Sequence, residues 1–144
     1  MKSSFQEVVL LFQYKAVITN VVDGDTFDMD IDLGLHIHIH ERVRLLDVDT
    51  PEKFGKEKQL GLIVKQYAER NLLNKEVIIK SEKVDEASVT DNFGRWLVRV
   101  IVDGEKDICN IYNFLGINKK CHTYSEENVL KLEKWSENEN ENMS

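Results

Sequence analysis

Hydrophobic and polar residues alternate almost strictly from Thr26 to Leu45. Gly34 divides this stretch into two halves, and the apolar positions are Phe27, Met29, Ile31, Leu33, Leu35, Ile37, Ile39, Val43 and Leu45. Successive side chains of a strand point to opposite faces of a sheet, so an alternation of this kind is typical of a half-buried strand. The stretch therefore predicts a β-hairpin with one buried face.

The polar face of this hairpin combines carboxylates with imidazoles. If the loop comprises residues 33–35, each acid faces a histidine across the strands, in the pairs Asp32–His36, Asp30–His38 and Asp28–His40. The three histidines share one face and could bind zinc, which stays open as an alternative. Their separation of about 7 Å along the strand and their acidic partners favour a solvated face.

The flanking segments predict three further strands and three helices. β-Branched residues indicate strands at 14–22, 76–80 and 96–102, and helical spacing of apolar residues indicates a helix from about 58 to 73. Asp107 and Ser125 are suited to cap two more helices, and Gly116 to end the first of these. Five strands with a helix between the third and fourth predict an α+β, mainly β fold, the five-stranded OB-fold barrel.

A chain of 144 residues is long enough for one domain with a real core. We expect an N-terminal extension at 1–13, the domain at 14–136 and a disordered Glu- and Asn-rich tail at 137–144. The N-terminus lacks signal-peptide features, and Cys109 and Cys121 lack metal-binding spacing. We therefore expect a monomer with reduced thiols, in the cytoplasm of the producing cell or of an infected host.

Two short motifs place carboxylates at predicted strand ends, namely Asp23–Thr26 (DGDT) and Arg44–Glu52 (RLLDVDTPE). Carboxylates that are brought together repel one another unless a cation or an arginine lies between them. Hard oxygen ligands of this kind suit calcium or magnesium. Because Arg44 lies five residues before Asp49, the second motif adds a guanidinium fork that can bind a phosphodiester.

With a third motif, Asp91–Arg95 (DNFGR), these two runs resemble the staphylococcal (micrococcal) nuclease-like family over roughly residues 15–135. The resemblance implies the OB-fold and a calcium-dependent nuclease that cleaves DNA and RNA with little sequence preference. In that family water attacks phosphorus and the 5′ oxygen departs, which leaves 3′-phosphate ends. The ion is calcium by analogy, and another divalent ion stays open.

The resemblance also implies roles for individual residues. The implied metal ligands are Asp25, Asp49 and the carbonyl of Thr50, and the implied catalytic residues are Arg44, Glu52 and Arg95. Glu52 corresponds to the proposed general base, and the two arginines would bind the charge that builds on the phosphate oxygens.

Positions near the substrate depart from the staphylococcal pattern. Phe93 stands where the family has a tyrosine beside the 5′-phosphate, and Asn92 replaces a lysine. His122 and Tyr124 align with two tyrosines of the base pocket. Asp23, near the implied metal ligands, is counted with the substrate-binding residues, where it would tune the local field or bind through water. Base stacking tolerates exchanges between aromatic rings, whereas phosphate affinity is expected to fall.

The net charge of −7 runs against nucleic-acid binding, but six Glu and two Lys after Ser125 account for −4 of it. We expect weak, salt-sensitive binding to long DNA. The alternative function is a catalytically silent OB-fold module that binds nucleic acid or protein. Such modules usually lack one or more of the acids and arginines, and here all five are present, namely Asp25, Arg44, Asp49, Glu52 and Arg95.

Overall fold

Six strands form the framework in residues 10–83 and 96–143, the ranges that this computed structural model describes. The strands are β1 (Leu10–Asp23), β2 (Thr26–Asp32), β3 (His38–Leu45), β4 (Glu76–Lys83), β5 (Trp96–Val102) and β6 (Lys106–Asp107). The helices are α1 (Lys58–Leu72), α2 (Ile108–Leu115) and α3 (Glu126–Met143), and a 3₁₀ turn at Gly55–Glu57 precedes α1. The predicted strand at 96–102 is confirmed, and α1 ends one residue before its predicted limit.

The strands form one sheet in the order β3-β2-β1-β4-β5-β6, and β3 also pairs with β5. This last pairing is parallel, runs from Val43 opposite Trp96 to Leu45 opposite Val98, and closes the first five strands into a barrel. The predicted OB-fold barrel of the α+β class is therefore confirmed. Closure places Arg44 in the barrel wall opposite Leu97.

The interior of the barrel is filled by the inward-facing residues of the strands. Apolar side chains from all three helices join the same core, among them Val64 and Ala68 of α1, Ile108 and Tyr112 of α2, and Val129 and Leu132 of α3, which packs on α1. Burial of each such side chain is worth about 1.5–3 kcal/mol, so the helices contribute directly to barrel stability.

The predicted helix caps are present. The Asp107 side chain accepts a hydrogen bond of 2.9 Å from the Cys109 N–H, and Gly116 ends α2 in the left-handed region at φ 75°. Ser125 Oγ accepts from the Asn128 N–H at 3.1 Å. α3 runs on to Met143 and so includes residues 137–143, where the sequence predicts a disordered tail. Glutamate is a good helix former, and neither Gly nor Pro interrupts that stretch.

The first strand is longer than its pattern predicts. It begins at Leu10 and pairs with β4 from Leu10 opposite Lys83 to Val17 opposite Glu76. Residues 10–13 therefore belong to the sheet rather than to an extension. The division of the chain into extension, domain and tail otherwise stays a prediction.

The predicted register of the β2–β3 hairpin is wrong by two residues. Gly34, Leu35 and His36 all have positive φ, so the turn is longer than 33–35. The facing pairs are Asp32–His38, Asp30–His40 and Asp28–Arg42. A shift of two keeps the polar face polar, but it leaves the apolar residues of the hairpin tip exposed, namely Leu33, Leu35, Ile37 and Ile39.

Three features noted in the sequence can be located in the structure: the cysteines, the apolar segments and the hairpin histidines. Cys109 and Cys121 are free, half-buried thiols. Within the described ranges, every helix is too short or too polar to cross a membrane. On the hairpin, His38 Nδ1 lies 3.0 Å from Asp30 Oδ1.

Candidate active site

A two-residue turn between β1 and β2 positions Asp25. Asp23 and Thr26 pair with each other on either side of the turn. The pairing of β1 with β2 is irregular between Val21 and Asp23, just before the turn. Gly24 is required there, because a Cβ at this position would collide with Val64 of α1. The buried Tyr112 Oη donates a 2.6 Å hydrogen bond to the Gly24 carbonyl, and burial raises the pKa of this phenol well above its usual value.

The carboxylate of Asp25 is fixed on both oxygens and only 5% exposed. Oδ1 accepts a hydrogen bond from Thr26 Oγ1 at 2.9 Å, and Oδ2 accepts one from the Thr50 N–H at 3.1 Å. Oδ2 also lies 3.5 Å from Nη2 of Arg44. These three contacts hold the Asp25 carboxylate in a set position.

Arg44 joins the two acid-bearing segments. Its Nη2 lies 3.4 Å from Asp49 Oδ1 and 3.5 Å from Asp25 Oδ2, and it donates to the Val48 carbonyl at 3.3 Å. The Arg44 side chain is 22% exposed, so it remains partly accessible to solvent. The structure therefore brings together Asp25, Arg44 and Asp49 from two separate motifs.

Asn118 holds the segment that carries Asp49. Its Oδ1 accepts from the Asp49 N–H at 3.0 Å and the Lys120 N–H at 3.1 Å. Its Nδ2 donates to the Asp47 carbonyl at 3.0 Å and to Asn113 Oδ1 at 2.8 Å. Asn118 is 1% exposed. The sequence offers no signal for this role, because the main partners lie about 70 residues away in the chain.

Glu52 is exposed, and its main chain is anchored by Glu57. The Glu52 N–H donates to Glu57 Oε2 at 2.9 Å, and Glu57 Oε1 lies 3.0 Å from Lys119 Nζ. The Lys119 N–H in turn donates to the Asp49 carbonyl at 2.7 Å. Sequence reasoning missed Glu57 and Lys119, since an isolated surface acid and lysine carry no signal of a shared position.

Asp25, Arg44 and Glu52 line an open cleft of about 790 Å³. Its lining residues are Val22, Asp23, Asp25, Thr26, Asp28, Glu41, Arg42, Arg44, Thr50, Pro51, Glu52 and Phe54. Five of them are acids and two are arginines, so the cleft has an excess of negative charge that favours a cation.

Comparison with known proteins assigns the family. The family model described as staphylococcal nuclease homologue matches residues 42–141. The chain belongs to the staphylococcal nuclease homologue family. The match begins at Arg42 and so leaves out Asp23–Thr26, which the structure itself brings next to Arg44.

A curated relative adds a second comparison. The chain is 28% identical to an uncharacterized protein of Methanocaldococcus jannaschii, over 67% of this chain and 53% of that protein. The chain thus spans about half the length of the curated relative that it matches. The family supports a nuclease-like domain.

The residues predicted to contact substrate lie on different parts of the structure. Asp23 lines the cleft, and its Oδ1 is 3.8 Å from Lys53 Nζ. His122 is exposed on the loop after α2, and Tyr124 on the same loop is half-buried. Burial, followed by the nearby charge of Glu57, raises the pKa of the Tyr124 phenol.

Two predicted site residues, Phe93 and Arg95, lie outside the described residues, as does the Asp91–Arg95 motif. The next residue, Trp96, pairs with Val43, the neighbour of Arg44. The roles of Phe93 and Arg95 stay predictions.

The donor set at the centre suits a hard divalent cation. Asp25 and Asp49 supply carboxylate oxygens that approach one guanidinium nitrogen, and calcium readily completes such a set with main-chain carbonyls and water. Within residues 10–83 and 96–143, no three side chains of His, Cys, Asp or Glu are clustered as metal ligands. If calcium binds at this centre, we expect Asp25 and Asp49 to hold it together with the Thr50 carbonyl.

The Glu57–Lys119 ion pair should make the free energy of unfolding decrease at acidic pH. The Glu52 N–H, followed by Lys119, holds the pKa of Glu57 below its usual value, and Glu57 raises the pKa of Lys119. The contribution of Glu57 is therefore complete above its unfolded pKa of about 4.3 and is lost as the pH falls through its folded pKa.

We expect Glu57→Gln to lower Tm by a constant amount at neutral pH. That difference from the wild type should shrink as the pH falls below the unfolded pKa of about 4.3, and it should vanish below the lower folded pKa, where Glu57 is protonated in both states. Thermal melts from neutral to acidic pH measure it. An unchanged difference at low pH would contradict the assignment.

Proposed function

We propose that this protein is a divalent-metal-dependent nuclease, with calcium as the preferred ion, that hydrolyses phosphodiester bonds of DNA and RNA with little sequence preference. The observation that carries the proposal is the position of the Arg44 guanidinium between Asp25 and Asp49, at a cleft that Glu52 lines. Family membership supports the same chemistry.

A bound phosphate would be held by positive charge from the metal ion and from arginine side chains. When calcium is bound, it supplies positive charge that polarises the phosphate. Among the described residues, every polar contact of Arg44 is made by Nη2, so Nε–H and Nη1–H remain for phosphate oxygens. A guanidinium fork binds such oxygens in pairs, and the developing charge strengthens these bonds. Arg95 would supply a second fork.

Glu52 is the residue proposed to orient water and to accept its proton. The Glu52 side chain is exposed at the cleft, and Glu57 fixes the Glu52 main chain. The carboxylate is therefore accessible to water while its backbone position is held. The water oxygen forms a bond to phosphorus while the bond from phosphorus to the 5′ oxygen breaks. The 5′ oxygen then takes a proton from solvent, and the products carry 3′-phosphate ends.

Cleavage of labelled single-stranded DNA and RNA tests this function directly. We expect cleavage in calcium, loss of cleavage after chelation and recovery when calcium is restored, with 3′-phosphate ends identified by mass spectrometry. If the strand is bound but remains intact in calcium, magnesium and manganese, the protein is instead a silent binding module.

A further inference from the structure

Phe54 is an exposed aromatic residue at the rim of the candidate active cleft. Its side chain is 65% exposed and lines the cleft two residues after Glu52. It directly precedes the 3₁₀ turn that leads into α1. Single exposed apolar residues are common on protein surfaces, so exposure alone carries no function.

The position of Phe54 distinguishes it from an ordinary surface residue. Among the cleft-lining residues of the described chain, Phe54 is the one aromatic, and the same cleft holds Arg44, the residue proposed to bind the phosphate. An arginine that binds the phosphate and an exposed aromatic ring that stacks on a base are a combination by which proteins bind one strand.

The two residues before Phe54 are anchored, Lys53 through its side chain and Glu52 through its main chain. Lys53 Nζ donates to the Val22 carbonyl at 3.0 Å, and the Glu52 N–H is bonded to Glu57. Gly61 of α1 also packs so closely on the Glu52 carbonyl that a Cβ there would collide with it. The ring is therefore presented from a fixed segment, which reduces the ordering that binding requires.

We propose that Phe54 stacks on a nucleobase of the substrate strand beside the scissile phosphate, so that the cleft prefers unpaired DNA or RNA to duplex. A base inside a duplex has both faces covered by its neighbours and cannot take up this position without being unstacked. This inference rests on the proposed function for its substrate class, and it concerns binding rather than the chemical step.

The test compares Phe54→Ala and Phe54→Trp with the wild type. Phe114→Ala is the matched control, because Phe114 is 89% exposed on α2 and does not line the cleft. The probes are a dye-labelled single-stranded deoxythymidine 12-mer and a duplex of equal length. Fluorescence anisotropy in chelator measures binding, and calcium assays measure kcat and KM separately.

We expect Phe54→Ala to weaken single-strand binding and raise KM about tenfold, with kcat and duplex binding little changed. Phe54→Trp should restore affinity, and its added tryptophan fluorescence should be quenched by the single strand. Phe114→Ala should match the wild type. Equal losses for single strand and duplex, no loss, or no detectable binding would overturn the inference.

These measurements separate the two proposals. Cleavage that is normal in Phe54→Ala, with unchanged KM, defeats the stacking role and leaves the nuclease proposal standing. Binding that depends on Phe54 without any cleavage supports the stacking role and defeats the nuclease proposal.

Discussion

Arg44→Ala is expected to lower kcat on single-stranded DNA by about 10²–10³-fold, the loss seen when one preorganised transition-state donor is removed. In this structure Arg44 is the cation that lies between Asp25 and Asp49. Water that enters the vacated space is mobile and carries no net charge, so it cannot replace the guanidinium.

Two variants sharpen the Arg44 experiment. Arg44→Lys keeps the charge but loses the planar fork, so we expect partial activity at best. Arg70→Ala removes an exposed arginine of α1 whose hydrogen bond to the Gln66 carbonyl stays within its own helix, and it should have full activity. Circular dichroism should show a folded barrel in all three variants. A kcat near that of the wild type in Arg44→Ala would refute the assignment.

Asn118→Ala should cause the largest loss of stability, about 3 kcal/mol. The substitution leaves the Asp49 N–H and the Asp47 carbonyl without their buried partner, and each such group costs about 1–3 kcal/mol. The corresponding fall in Tm is roughly 10 °C for a chain of this size. Denaturant unfolding and thermal melts measure both quantities.

Asn71→Ala is the matched control for Asn118. The Asn71 side chain also donates to a main-chain carbonyl, at 2.8 Å from Tyr67, but it is exposed and water can replace it. We expect a change within about 0.5 kcal/mol for this variant. Equal stabilities for the two alanine variants would show that Asn118 does not hold the Asp49 segment.

The sequence predicts those elements whose signals are local. Alternation and turn residues locate β5, the α2 cap at Asp107 and its end at Gly116 correctly. The hairpin register cannot be read in this way, because a turn with positive φ at Leu35 and His36 gives no steric signal comparable to a glycine. A shift of two residues also preserves the alternation that the prediction uses.

The candidate site likewise contains residues that local motifs identify and residues that they do not. Motifs identify Asp25, Arg44 and Asp49, and the structure brings them together. Asn118 and the Glu57–Lys119 pair are not predictable in this way, because their partners are distant in sequence and only the closed barrel makes them neighbours.

Because β3 closes on β5 in parallel, we expect the candidate active site to form late in folding. Its parts come from the first hairpin, from the end of β3 and from the loop after α2, so no single excised fragment of the chain contains the whole arrangement. Such long-range pairings form slowly, because widely separated segments must first meet. Regain of turnover during refolding would therefore register completion of the native state, whereas far-ultraviolet signals would register the hairpins and helices that form before it.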